Sequence, residues 1–235
     1  MLGKTVLAVV PARSGSKGIP NKNMRKVAGI SLIGHAGQTL SQLEFIDAKV
    51  ISTDSPEYAA EGKKYGLDAP FLRPPDLSSD QSGAVETMQH ALVESEERYG
   101  KRFDVALIIE PTSPLRRPED VEAAARLLIE SGADSVVAVS PLNSKSHPRK
   151  LLTVKDDKLG FYLEGGNEIK GRQQLHGGLY WRNGVCYALT RECLMEKGAI
   201  ITDNTLPYII NREIVNVDEP LELEWAEFLM QRGKK

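Results

Sequence analysis

The sequence predicts an α/β fold, in which a mostly parallel sheet is covered by helices on both faces to give three layers. Three observations carry this. Short apolar, β-branched runs recur along the chain and are followed by segments of helical period, roughly 10 to 18 residues each. Turn and cap signals separate the two kinds of segment. The composition is that of a globular chain, with 41% hydrophobic and 26% charged residues and a mean hydropathy of -0.30. At 235 residues the chain suits one large domain with room for a small appendage.

The first strand is Thr5-Val6-Leu7-Ala8-Val9-Val10, followed by a loop rich in Gly, Ser, Lys and Arg from Pro11 to Asn23. Ser31 to Phe45 follows with Leu32, Ile33, Ala36, Leu40 and Leu43 as a helical stripe and Ser31 as its cap. Lys49–Thr53 is a second strand, and Ser55-Pro56-Glu57 is a cap, an N1 proline and a first-turn acid for a helix through Tyr65. Asp76 to Gly83 is polar connection. A helix from near Ser82 to Tyr99 covers the sheet with Val85, Met88, Ala91 and Leu92. Asp104–Ile109 is a buried strand that opens into Glu110–Arg116. Pro118 starts a helix with Val121, Ala125, Leu128 and Ile129 inward, and Asp134–Val139 is a further strand.

The rhythm then breaks. Pro141 to Gly178 contains short strand candidates at Lys150–Val154 and Leu159–Tyr162, and no periodicity over Gly165–Gly178. We read 141–178 as a small excursion from a core made of 1–140 and 179–235, long enough to favour function over filler. Strands at Val185–Leu189, Pro207–Ile210 and Ile214–Val217 resume the core, with a short helix over Arg191–Glu196. A last helix from Pro220 carries Leu221, Trp225 and Leu229 as its apolar side.

A net charge of -2 gives no field for a nucleic acid. No run of about 18 apolar residues occurs, and the apolar stretch before Pro11 is too short for a secretion signal. Cys186 lies among apolar neighbours and neither it nor Cys193 has ligand spacing around it, so both read as thiols in a reducing cytoplasm. The loop after the first strand is neither GxxxxGK[ST] nor GxGxxG, and GxSxG is missing. His35, His90, His147 and His176 have no partners at metal spacing.

Four groups fall at predicted strand ends: Arg13–Lys22, Asp54, Glu110–Arg116 and Asn216–Glu219. In a parallel α/β sheet such ends share one edge and build the ligand crevice. Two lysines, several arginines and a few carboxylates there suit a nucleoside triphosphate with its metal. Asp54 reads equally as a helix cap or as a site residue.

The run Pro11-Ala12-Arg13-Ser14-Gly15-Ser16-Lys17-Gly18-Ile19-Pro20-Asn21-Lys22-Asn23 closely resembles the signature loop of the acylneuraminate cytidylyltransferases. The likeness continues through Ser52-Thr53-Asp54, Arg73-Pro74, Pro111–Arg116, Arg172-Gln173-Gln174, Arg182-Asn183-Gly184 with Tyr187, and Val217-Asp218. It implies a Rossmann-like nucleotidyltransferase that moves CMP from CTP to a nonulosonic acid and releases pyrophosphate with the help of Mg²⁺. By resemblance Arg13, Lys22 and Asp218 are catalytic. Ala12, Arg13, Ser16, Lys17, Lys22, Asn23, Asp54 and Arg73 form the nucleotide site. Thr112, Ser113, Tyr180 and Arg182 face the acceptor, and Arg172 and Gln173 contact the acid or a partner subunit; Glu110, itself a departure from the family, either faces an acceptor ammonium or replaces a missing metal ligand. Asp218, joined by Asn216, would hold the metal, and the 141–178 excursion would make a homodimer. The chain departs from the pattern at Asn216, where an Asp is usual, at Glu110, where Gln is common, and at Trp181, where Arg is common. These departures open two alternatives: another acidic, amino-bearing or phosphonate acceptor, and a non-catalytic nucleotide-binding homologue.

Overall fold

A computed structural model describes residues 1–168, 171, 175 and 178–233. The elements up to the middle of the chain are β1 (Val6–Pro11), β2 (Lys26–Val27), β3 (Ile30–Ser31), α1 (Leu32–Ser41), β4 (Ala48–Ser52), α2 (Pro56–Lys64), α3 (Ala84–Tyr99), β5 (Val105–Ile108) and α4 (Pro118–Ser131). The rest are β6 (Ser135–Pro141), β7 (Leu152–Lys155), β8 (Lys158–Phe161), β9 (Tyr180–Thr190), α5 (Arg191–Met195), β10 (Thr205–Ile209) and α6 (Pro220–Arg232). No helix among the described residues is long and apolar enough to cross a membrane.

The main sheet has the order β10-β6-β9-β5-β1-β4. β1 pairs in parallel with β4 and β5, and β10 pairs in parallel with β6, while β9 is antiparallel to both β5 and β6. Five strands therefore point one way and β9 points back. Alternation along β1 sends Val6, Ala8 and Val10 into one core cluster and Leu7 and Val9 into another. Both faces are covered, as a continuous apolar run requires. Each of these side chains is fully buried, a contribution of roughly 1.5–3 kcal/mol for each larger one.

Capping follows the local sequence. Ser31 Oγ accepts from Gly34 N, and Ser55 Oγ accepts from Tyr58 N with Pro56 at the first helical position. α1 stops at Ser41, short of Phe45, and Leu43 is buried beyond its end. α3 starts at Ala84 with Gly83 as its cap, two residues after Ser82.

Three expectations are corrected. The strand expected at Val185–Leu189 is the second half of an 11-residue strand that begins at Tyr180. The chain re-enters the sheet from the carboxyl edge after the excursion, so it has to run opposite to its neighbours. Ile214–Val217 forms no strand; among the described residues its backbone meets the sheet edge through Val217 N, which donates to Thr112 O at 2.7 Å. On α6, Leu221 and Trp225 face outward with Phe228, and the covered side is Ala226 with Leu223, Leu229 and Met230. The excursion holds β7 and β8 as a separate two-stranded sheet whose burial pattern is exposed throughout.

Candidate functional site

The carboxyl ends of β1, β4 and β5 lie side by side, because Pro11 pairs with Ser52 and Val9 with Ile108. The antiparallel β9 brings its opening residues to the same edge, where Tyr187 pairs with Ile108 and Arg182 with Val139. A cavity of about 700 Å³ opens there.

One wall is the loop after β1. Arg13, Ser16, Lys17, Gly18, Lys22 and Asn23 line the cavity. The loop is braced from behind. Ser14 donates from N and Oγ to the Asp54 carboxylate at 2.9 and 2.7 Å, and Asn23 Nδ2 donates to Arg13 O at 3.2 Å. Ala12 is buried and donates its N–H to Ser52 O at 2.9 Å. A Cβ on Gly18 would stand 2.9 Å from Asp218 O, so this glycine is where the loop and the segment before α6 touch. Lys22 Nζ then pairs with Asp218 Oδ1 at 2.7 Å. Asp218 is fixed by its own N–H, which donates to Glu222 Oε2 at 2.6 Å in the first turn of α6.

The floor carries Arg73. Its guanidinium is buried, donating Nε to Ser52 Oγ at 3.1 Å and Nη2 to Ser52 O. Burial pulls its pKa down to about 10 despite the Asp54 carboxylate nearby, which still leaves it a cation at neutral pH.

The opposite wall comes from the segment after β5 and from β9. Glu110, Thr112 and Asn216 line the cavity. Asn216 Nδ2 donates to Glu110 Oε2 at 3.3 Å, while Asn216 Oδ1 is buried without a hydrogen-bond partner among the described residues. Tyr187 is buried beside Glu110, and its phenol pKa is pushed up by burial first and by that carboxylate second. Gly184 has φ +69, and a Cβ there would stand 2.2 Å from Glu110 Oε2 and 2.8 Å from Ser113 Oγ. Only a glycine in this left-handed conformation leaves the carboxylate its place. Arg116 is buried and ties the wall together, donating to the carbonyls of Glu110, Gly184 and Val185. Burial lowers its pKa to about 10.

Thus Arg13, Ser16, Lys17, Lys22, Asn23, Arg73, Glu110, Thr112, Asn216 and Asp218 meet in one cavity. Asp54 neither lines it nor caps α2. Its carboxylate faces Ser14, so both sequence readings of Asp54 give way to a brace for the loop. Ala12 is a brace too. Ser113 is fully buried and donates Oγ to Asn183 O at 2.5 Å, which makes it part of the wall's interior. Tyr180 and Arg182 are exposed at the start of β9, outside the cavity lining. Arg172 and Gln173 lie outside the described residues, as does His176. Of the other histidines, His35 Nε2 is 2.8 Å from Val27 O, His90 packs edge-on against Phe71 with ring centroids 5.3 Å apart, and His147 Nδ1 accepts from Arg149 N at 3.2 Å. The Cys186 thiol is buried and raised to about 12, which unfits it as a nucleophile.

The residue that sequence reasoning missed is Asp80. It lines the cavity, its Oδ1 is 2.7 Å from Arg13 Nη1, and its Oδ2 pairs with Lys17 Nζ. Nothing local marks it, since it sits in a polar connection at no strand end.

Comparison with known proteins follows the same lines. Residues 7–176 match the profile of a family described as Cytidylyltransferase. The CMP-N,N'-diacetyllegionaminic acid synthase of Legionella pneumophila is 32% identical over 98% of this chain and 98% of its own length. The N-acylneuraminate cytidylyltransferase of Escherichia coli O18:K1:H7 is 24% identical over 98% of this chain, which spans 53% of that protein. In fold, a CMP:2-keto-3-deoxy-manno-octonic acid synthetase solved with CTP superposes at a TM-score of 0.69, with 17% identity over 97% of this chain and 99% of that one. A 4-diphosphocytidyl-2C-methyl-D-erythritol synthase from Anaerococcus prevotii does so at 0.64, with 14% identity over 98% of this chain and 97% of that one. A profile match across most of the chain, and a relative of almost the same length at 32% identity, establish that the chain belongs to the cytidylyltransferase family, the CTP-dependent nucleotidyltransferases.

Proposed function

We propose that the protein transfers CMP from CTP to the anomeric hydroxyl of a nonulosonic acid and releases pyrophosphate. One observation carries the reading: Arg13, Lys17, Lys22 and Arg73 converge with Asp218 on a single cavity at the carboxyl edge of the sheet. The names of the relatives in the legionaminic and N-acylneuraminic groups support the acceptor class.

In this reading the triphosphate lies along the loop after β1. Arg13, Lys17 and Lys22 meet its oxygens, and Arg73 adds fixed positive charge from the floor. Attack at the α-phosphorus builds negative charge on a chain that is already anionic, and preorganised cations stabilise that transition state more than the ground state. No covalent nucleophile is needed.

The acceptor lies on the Glu110 side. Glu110, held by Asn216 and beside Tyr187, accepts hydrogen bonds from acceptor hydroxyl or ammonium groups there and repels a bare carboxylate. The acceptor's own carboxylate is therefore directed away from Glu110.

The donor set fits a hard divalent cation such as Mg²⁺, which prefers oxygen ligands. Asp218 and Glu110 offer carboxylates on the cavity wall, and Asn216 Oδ1 is a buried oxygen without a partner among the described residues. When bound, the ion would neutralise phosphate charge and polarise the α-phosphorus. Asp218 and Asn216 would hold it, with Glu110 as a further source of negative charge.

A homodimer belongs to the same proposal. Val154 and Leu159 on the β7–β8 hairpin are 71% and 73% exposed, close to Phe161 and Tyr162, and a second copy of the chain would cover them. The two free thiols support a reducing compartment.

Pyrophosphate release is the test, measured with CTP, Mg²⁺ and a panel of legionaminic, N-acetylneuraminic and pseudaminic acids, an octulosonic acid and an aminophosphonate. Turnover confined to nonulosonic acids supports the proposal. Turnover with the aminophosphonate alone, or CTP binding without turnover on any acceptor, overturns it.

A further inference from the structure

The connection that carries Asp80 is folded locally. Ser79 N donates to Ser82 Oγ at 3.0 Å, Gln81 N to Ser79 Oγ at 3.3 Å, and Ser82 Oγ to Asp76 O at 2.9 Å. These bonds present the Asp80 side chain to the loop after β1 across the mouth of the cavity. Its two oxygens are divided between two cations, Oδ1 on Arg13 Nη1 at 2.7 Å and Oδ2 on Lys17 Nζ. Both cations line the cavity that the nucleotide needs. One anionic centre bridging an arginine and a lysine through separate oxygens is the arrangement a phosphoryl group would make with the same pair.

The geometry points to Asp80 as a resident anion in the phosphate seat, one that polyphosphate must displace on entry and that reclaims Arg13 and Lys17 as pyrophosphate leaves. It is a residue that sets affinity and release, and this inference rests on the nucleotidyltransferase reading above.

The exchange is physically workable. The Asp80 and Lys17 side chains are 38% and 82% exposed, so the pairs break at little cost in a solvated setting. Hydrogen bonding to Lys17 first and to Arg13 second holds the Asp80 carboxyl below the usual carboxylate range. The competitor therefore stays anionic at every pH at which the enzyme would work. Because it is tethered, it competes at high effective concentration, and the apparent affinity of any ligand needing the seat falls by the fraction of seats left open. A ligand that does not reach the seat is untouched. Keeping Arg13 and Lys17 aimed at one point also spares them reorganisation when phosphate arrives.

The test compares wild type with Asp80→Asn and Asp80→Glu by calorimetric binding of inorganic pyrophosphate, CTP and cytidine, without acceptor. Two exposed ion pairs set the size of the effect. Asp80→Asn should bind pyrophosphate and CTP roughly 2- to 30-fold more tightly and cytidine unchanged, and Asp80→Glu should stay near wild type. Equal or weaker pyrophosphate binding by Asp80→Asn overturns the inference. So does a parallel change in cytidine affinity, which would make Asp80 a support for the base-side loop instead. Pyrophosphate is measured without nucleotide. A protein that fails to bind CTP but shows the gain for pyrophosphate therefore loses the proposed function and keeps this role for Asp80.

Discussion

Gly184→Ala is the substitution that most directly connects backbone geometry to the chemistry of the site. Residue 184 has φ +69, and an L-residue in that conformation costs about 1 kcal/mol or somewhat more. The new Cβ would stand 2.8 Å from Ser113 Oγ, which is committed to Asn183 O within the buried wall. Losing that hydrogen bond adds about 1 kcal/mol. The second clash, with Glu110 Oε2, is with the far end of a flexible side chain. It is cheap for stability and expensive for function, because Glu110 has to leave Asn216. The expected loss of stability is about 2 kcal/mol, or roughly 4–8 °C in thermal midpoint for a chain of this size, with a fall in turnover on top. Thermal unfolding and pyrophosphate release measure the two effects. The same change in a Glu110→Ala background separates them. There the stability loss should persist while Gly184→Ala costs no further activity, since the two residues act through one contact. Wild-type turnover and midpoint for Gly184→Ala alone, or fully additive activity losses, would refute the reasoning.

Other perturbations follow from the same contacts. Lys22→Met removes a cation from the cavity and should lower kcat/KM by about 10²–10³-fold, with a thermal midpoint near wild type because its partner Asp218 is 68% exposed. Arg116→Met strips two buried carbonyls and a partly buried one of their donor and should cost about 3 kcal/mol, read as a lower denaturant midpoint at unchanged slope. Burial alone would raise the Asp54 carboxyl, but the two bonds from Ser14, a bond from its own backbone and the nearby Arg73 charge together outweigh it and hold the group below its ordinary range. Its stabilising effect is therefore complete above about pH 4 and is lost as the pH falls through its lowered folded value. Asp54→Asn should flatten the stability curve in that acid window and loosen the loop after β1, which hydrogen exchange at Ser14 would detect.

Most of the order of elements and the edge that holds the candidate site were legible in the sequence, for local reasons. Fully apolar runs such as Val6–Val10 have no stable place except a sheet covered on both faces. Ser31 and Ser55 with Pro56 mark helix starts through bonds made within one turn. Strands that point the same way end on the same edge, so Arg13–Lys22 and Glu110 could be placed together before any distance was known, whereas Asn216–Asp218 reach that edge without the strand expected before them. The direction of β9 was not legible. A strand's residues are the same whichever way it runs, and only the path of the chain out of the excursion made it antiparallel. The outward side of α6 was hidden because Leu221, Trp225 and Leu229 lie at helical spacing, yet their burial depends on what packs against the helix.

The site divides in the same way. Residue types at strand ends pointed to a polyphosphate cradle, because cations and glycines gathered at one sheet edge suit an anion, although a surface turn can carry the same residues. What the tertiary structure alone decided is the division of labour among the charges. Asp54 serves the loop, Arg116 and Ser113 serve the wall, and Asp80 reaches Arg13 and Lys17 from a connection more than 60 residues away in sequence. A carboxylate's role is set by the partner within a few ångströms, and that partner comes from another part of the chain. The sequence states which charges are present, and the packing of the sheet edge determines which of them are paired with one another and which are left for the substrate.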